Sequence, residues 1–206
     1  MHVPIREKMA DAHAIHQFIQ QYGFATLVSP SLQATHLPLL LKPDQGDKGV
    51  LYGHIARDNP HSNFVDGERV LAIFSGPHSY ISPTWYATPI AVPTWNYCAV
   101  HCYGVIRTLN RADTLSQVKQ LITQYEPELV DDRERMPEGY QQQLLNGIIG
   151  FTITIDHIDA REKLGQHKHQ ADQAGVFSAL KQSQRNDATV LAAYMARRNI
   201  GTGSEK

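Results

Sequence analysis

FATLVSPSLQATHLPLLLKPDQGDKGVLYGHIA, residues 24–56, decides the fold. Residues 24–29 and 34–42 read as two strands, with Pro30 and Ser31 marking the turn between them. The polar, glycine-bearing segment 44–49 leads into a third strand at 50–56. Connections this short join antiparallel neighbours, because a parallel pair needs a crossover of about a dozen residues or more. On the second strand Thr35, Leu37, Leu39 and Leu41 share one face, and His36, Pro38 and Leu40 share the other. Pro38 has no N–H to give a ladder, so one side of this strand is an edge or faces something other than a strand.

Working outward, Asp11 is a good N-cap for an amphipathic helix carrying Ile15, Phe18, Ile19 and Tyr22, which Gly23 stops. Downstream, Asn59 followed by Pro60 starts a short helix to about Val65, and Asp66-Gly67 turns the chain into a fourth strand at 69–75. Residues 76–95 hold Pro77, Pro83, Pro89 and Pro93 beside both tryptophans, Trp85 and Trp95, and read as a long aromatic loop with a short strand at 79–85. A long strand at 96–109, helices at 115–125 and 138–146, and a last strand at 148–158 follow. The tail offers a polar linker at 166–169, helices at 172–181 and 187–198, and an end expected to fray from Gly201 to Lys206. Strands joined by short hairpins, with helices set apart, make this an α+β chain on an antiparallel barrel instead of a doubly wound sheet.

Composition narrows the function. The chain has 206 residues, 42% hydrophobic, which suits one buried core. A formal net charge of −1 gives no global basic bias toward nucleic acid or membrane surfaces. No apolar run approaches a membrane span and no signal segment is visible, so a cytoplasmic location is expected. Cys98 and Cys102 lie on one face of a strand, roughly 13 Å apart. A disulfide needs Cα atoms within ~7 Å, so reduced, buried thiols are expected. The chain lacks GxGxxG after a strand, a P-loop, HExxH and GxSxG.

Several runs carry a resemblance: 34–39 (ATHLPL), 53–60 (GHIARDNP), 76–86 (GPHSYISPTWY), 92–97 (VPTWNY) and 100–104 (VHCYG), closed by Gly150-Phe151 and Lys163-Leu164. From about Val3 to Lys168 the chain resembles the PaiB-type negative transcriptional regulators of the FMN-binding split-barrel superfamily. The resemblance implies a six-stranded antiparallel Greek-key split β-barrel over 1–168. Residues 169–206 would be a helical extension packed on it or on a partner. It also implies a homodimer, a flavin (FMN) or related planar ligand at the dimer interface, and a role as a repressor acting on DNA directly or through a partner protein.

Site residues follow from the same resemblance. Arg57, just before the Asn59 cap, occupies a place that holds the FMN phosphate in split-barrel flavoproteins, and a guanidinium beside helix N-terminal amides suits an anion. Ser62 and Asn63 stand where relatives add a basic residue. His36 and Pro38 would line a flavin edge, and His54 and His78 would bond phosphate, flavin or each other. Trp95 and Asn96, with Trp85, Tyr86 and Tyr97, would stack on a planar ligand or pack across a dimer. Lys163 belongs to a KLxQ run in which Gly165 and His167 depart from the family pattern. No acid, base or nucleophile stands out, so no catalytic set is named and no metal is expected. The alternatives are a flavin-dependent oxidoreductase and, using the same histidines, a haem-binding split-barrel protein. Lys181, Arg185, Arg197 and Arg198 form the only candidate basic surface for DNA, set against a tail that packs on a dimer partner.

Overall fold

The computed structural model describes residues 1–64 and 66–204. Its elements run α1 (Ala12–Gln21), β1 (Phe24–Val28), β2 (Ala34–Pro38), β3 (Leu40–Lys42), β4 (Val50–Ala56), β5 (Arg69–Ile81), β6 (Thr94–Thr108), α2 (Arg111–Tyr125), α3 (Glu138–Leu144), β7 (Ile148–Lys163), α4 (Gln170–Gln182) and α5 (Asn186–Arg198). The fold is α+β, with the strands in one sheet of order β2-β1-β5-β6-β7-β4-β3. Pairings β1–β2, β1–β5, β3–β4 and β4–β7 are all antiparallel.

The sheet has seven strands where the family pattern implied six, because Leu39 breaks the second strand in two. Leu39 N donates to Gly23 O at 2.9 Å, one step beyond the Phe24–Pro38 pair in the β1 register. On one side of the break Pro38 pairs with Phe24 in β1, and on the other Leu40 pairs with Tyr52 in β4. Consecutive strands thus sit at opposite ends of the order, so the sheet is curled and its two ends are carried by one chain segment. Pro38 is tolerated at the end of β2 because it pairs with Phe24 where an N–H would point away from β1, so the β1 ladder loses no bond.

Chain contacts divide the protein into two compact units. One comprises Met1–Ile15, Ser75–Val100 and Asp159–Lys206, and the other His16–Phe74 and His101–Ile158. The second unit holds the strand change at Leu39. Its core includes Phe18, Leu27, Leu51, Phe74, Ile106 and Phe151, each at most 2% exposed. Burying such a side chain stabilises by about 1.5–3 kcal/mol. Gly53 is required here, since a Cβ would lie 2.6 Å from Leu39 Cδ2 and 2.8 Å from Phe151 Cζ.

In the first unit α4 and α5 pack together, and Ile81, Cys98 and Leu164 are buried. Ser79 Oγ donates to Asp187 Oδ2 at 3.0 Å, and Thr88 gives both its N–H and its hydroxyl to Asp172 at 2.8 Å. Those bonds hold the Asp172 carboxyl below the usual carboxylate range. The irregular stretch is shorter than the loop expected at 76–95. β5 runs on through Gly76 and Pro77 to Ile81, and a 3₁₀ turn covers Pro83–Trp85. The last strand likewise extends beyond residue 158 to Lys163. Residues 201–204 are not frayed. Gly201 is buried with φ +71°, and a Cβ there would meet Leu164 O at 2.1 Å. The rest of that expectation, at 205 and 206, lies outside the described residues. No helix among the described residues is long and apolar enough to cross a membrane.

Candidate functional site

In the second unit, Arg57 follows β4 and its backbone N–H donates to Gly147 O at 2.8 Å. Its side chain turns to the same loop: Nε donates to Asn146 O and Nη2 to Ile148 O, both at 3.1 Å. Arg111, in the first turn of α2, reaches the same residue from the other side, with Nη1 donating to Asn146 Oδ1 at 2.8 Å and Nε to Gln142 Oε1 at 3.3 Å. Its Nη2 also bonds Gln142 O. Asn110 starts α2 as its cap, accepting from Asp113 N at 2.9 Å.

The two guanidiniums line a cleft of about 300 Å³ with Thr108, Leu109, Thr114, Leu145 and residues 148–150. No carboxylate lines it. Two cations brought together without a counter-charge make a place for an anion. The carbonyls holding Arg57 take up two of its five N–H groups, which fixes the fork and leaves the rest to donate.

The helix expected after Asn59 is a four-residue 3₁₀ turn, Pro60–Asn63, whose expected end at Val65 lies outside the described residues. Asn59 does cap it: Oδ1 accepts from His61 N at 2.9 Å. Asn59 Nδ2 also donates to Thr35 Oγ1 at 3.3 Å, and His61 Nδ1 lies 2.9 Å from the same hydroxyl. Arg57 therefore faces Asn146 and Ile148, and the first amide of the turn is spent on the cap. His36 is exposed, its ring stacked 6.2 Å from Phe24, and Pro38 is half-buried at the end of β2. His54 sits half-buried beneath α2, where burial lowers its pKa and keeps the imidazole neutral at pH 7.

The remaining expected residues lie in the first unit. Trp95 is 48% exposed, with the His78 ring 6.0 Å away and the Tyr80 ring 6.4 Å away. Asn96, next along β6, points the other way and is buried. Lys163 Nζ donates to Thr94 Oγ1 at 2.7 Å, and burial lowers its pKa. Beside it Arg161 bonds Glu7 Oε2 and Tyr97 OH, the latter at 2.6 Å, and lies over the Tyr97 ring. The cysteines are buried and unpaired with each other. Burial pushes the Cys102 thiol up to about 12 and the Cys98 thiol higher still, so neither is a thiolate at neutral pH. Among the described residues no group of three His, Cys, Asp or Glu is arranged to hold a metal ion.

Residues 1–157 match the family described as "Putative FMN-binding domain". The chain belongs to this FMN-binding domain family. It is 34% identical over 95% of its length to "Protease synthase and sporulation protein PAI 2" of Bacillus subtilis (strain 168), 96% of which is covered, and so is of the PaiB type. It is 31% identical to the "Uncharacterized protein AN0679" of Emericella nidulans, over 74% of this chain and 76% of that one. Two solved structures share the fold of this family member. The flavocytochrome Anf3 from Azotobacter vinelandii covers 78% of the chain and 72% of its own, with TM-score 0.60 at 10% identity. The FAD and heme binding protein from Mycobacterium smegmatis covers 76% and 73%, with TM-score 0.55 at 10% identity.

Sequence reading of the PaiB-type chain missed Arg111, Thr108 and Thr114, although Asn110 followed by a helical run is a legible cap. That signal places the first turn of α2 at Arg111, four residues ahead of the start read from the apolar spacing.

Proposed function

We propose that this protein is a PaiB-like, flavin-binding regulatory protein that seats the FMN phosphate in the Arg57–Arg111 cleft. One observation carries the reading: two guanidiniums converge on Asn146 in a cleft that no carboxylate lines. A phosphate dianion supplies the missing counter-charge, and the fork of each arginine matches its oxygens. Thr108 and Thr114 add hydroxyls, and the Ile148, Ile149 and Leu145 side chains an apolar wall against the ribityl chain and ring edge. FMN would bring redox chemistry to this site. The cleft's own side chains are arginines, threonines and aliphatics, with no acid, base or thiol. That lining supports sensing a ligand over turning one over.

At about 300 Å³ the cleft is near the small end of ligand pockets. A second copy of the chain would complete the cover over the ring, which supports a homodimer with residues 169–206 as its helical extension. His36, Pro38, His54 and Asn59, and in the other unit His78, Trp95, Asn96 and Lys163, are the further residues we assign to ligand or dimer contacts. Regulation of genes, directly or through a protein partner, follows from likeness to the PaiB type. If DNA is bound directly, affinity falls steeply between 50 and 200 mM salt.

The test is a titration of the full chain with FMN, followed by flavin absorbance and fluorescence. Arg57→Ala is expected to weaken binding at least tenfold, a loss of about 1.4 kcal/mol. Unchanged affinity rules out the phosphate assignment.

A further inference from the structure

Another cavity lies within the first unit. It encloses about 640 Å³, well inside the ~300–1,000 Å³ of ligand sites. Its walls come from the N-terminal segment, the end of β7, the start of α4 and the C-terminal residues 199–204. Nothing in the flavin reading uses it.

Among the described residues its charge is unbalanced. Arg6 and Lys8 line it, and neither pairs with a carboxylate among the described residues. Among the described residues the one acid in the lining, Glu162, is buried and already committed. It accepts from Tyr194 OH at 2.6 Å and from Arg198 at 2.8 and 3.2 Å.

The walls are rigid and rich in amides. Gln166 is fixed at three points: Oε1 accepts from Leu164 N at 2.8 Å, and Nε2 donates to Arg6 O at 3.1 Å and Glu162 O at 2.6 Å. Gln170 and Gln173 donate through Nε2 to Gly203 O and Lys168 O, which leaves their Oε1 acceptors for hydroxyl groups. The tail is built in as a wall. Gly203 has φ +77° and a Cβ there would meet Ala174 N at 2.6 Å, so it, like Gly201, is a position where only glycine fits.

We infer that this cavity is a second ligand site, for a small hydroxyl-rich phosphate ester, with the phosphate between Arg6 and Lys8 and the hydroxyls on Gln170 and Gln173. The pairing of a guanidinium fork with an ammonium suits a dianion, and amide acceptors suit a polyol.

Calorimetric titration of the full chain with glucose 6-phosphate, inorganic phosphate and glucose tests it. The ester is expected to bind more tightly than inorganic phosphate, and glucose not measurably. The double substitution Arg6→Gln, Lys8→Gln should weaken the ester at least tenfold and leave FMN affinity within twofold. An ester that does not bind the wild-type chain, or binds the double variant equally well, overturns the inference, as does a parallel loss of FMN affinity. Should the double variant fail to fold, amide hydrogen exchange of the wild-type chain decides. Ester-induced protection at 199–204 supports the site, and protection confined elsewhere overturns it. Because FMN is read out separately, failure here is distinguishable from failure of the flavin cleft.

Discussion

Two hollows among the described residues, one in each unit, are basic in different ways. In the Arg57–Arg111 cleft both cations are tethered by backbone and amide oxygens around Asn146 and Gln142. In the Arg6–Lys8 cavity the cations have no side-chain tether among the described residues, and the fixed parts are the hydrogen-bonded glutamines and close-packed glycines of the walls. The contrast teaches that positive charge can be built into a site by fixing the cation or by fixing what surrounds it. A tethered guanidinium has already lost its rotamer entropy, so less is lost on binding. A free lysine or arginine must be ordered by the ligand itself.

The comparison breaks most visibly at Arg198. Arg198→Ala leaves the buried Glu162 carboxylate with the Tyr194 hydroxyl as its remaining partner among the described residues. Arg198 is itself half-buried, so the loss is expected below the ~3–5 kcal/mol of a fully buried pair. The released negative charge should also cancel part of the cavity's attraction for anions while leaving the cleft alone. Urea denaturation together with paired titrations of FMN and the phosphate ester reads both effects, and unchanged stability would show that Arg198 is not what neutralises Glu162.

Asn146→Ala sharpens the other side. The substitution removes the oxygen that holds Arg111 Nη1 and keeps the carbonyl that holds Arg57 Nε. A hydrogen bond of this kind is worth about 1 kcal/mol, so FMN binding should weaken about three- to fivefold, less than for Arg57→Ala. If the loss equals that of Arg57→Ala, the tethers matter as much as the charge.

The smallest effect concerns two histidines. His54 and His167 both have pKa values below 6.5, but burial is the only cause at His54, whereas the Arg6 and Lys168 charges add to burial at His167. Imidazole titration by NMR should therefore show His167 rising toward 6.5 in 1 M salt or in Arg6→Gln, with His54 unmoved. The linkage has one sign for both. A folded pKa below the unfolded value means the unfolded chain binds more protons between the two, so stability present above pH 6.5 is lost as pH falls below it. His54→Gln should flatten that acid limb for the second unit.

Much of the fold could be read from local pattern. The Asp11 cap is real: Asp11 accepts from His13 N at 3.1 Å and Ala14 N at 3.2 Å. The strands expected over residues 24–56 are present, the second of them as two, and Leu37, Leu39 and Leu41 are all buried as their shared face requires. The misreadings cluster where a local rule met a tertiary partner. Pro77 marks a loop by composition, yet β5 runs through it because strand pairing on either side outweighs one missing donor. Gly201 and Gly203 look like a loose end and are close-packed instead, because the atoms they avoid belong to residues far away in the chain. Arg57 was legible as a binding candidate, but its helix was not. Asn59-Pro60 signals a start, and nothing local says that it stops after one turn.

By itself the sequence determined the strand and helix content, the antiparallel hairpins, the buried reduced cysteines and membership of the FMN-binding domain family, because periodicity, caps and rare motif strings are properties of neighbouring residues. Only the tertiary structure decided that Leu39 splits a strand between two ends of one sheet. It alone decided that Arg57 and Arg111 meet at Asn146, and that the last glycines wall a cavity. Those are contacts between residues tens of positions apart, and which of them form depends on packing that no short window contains.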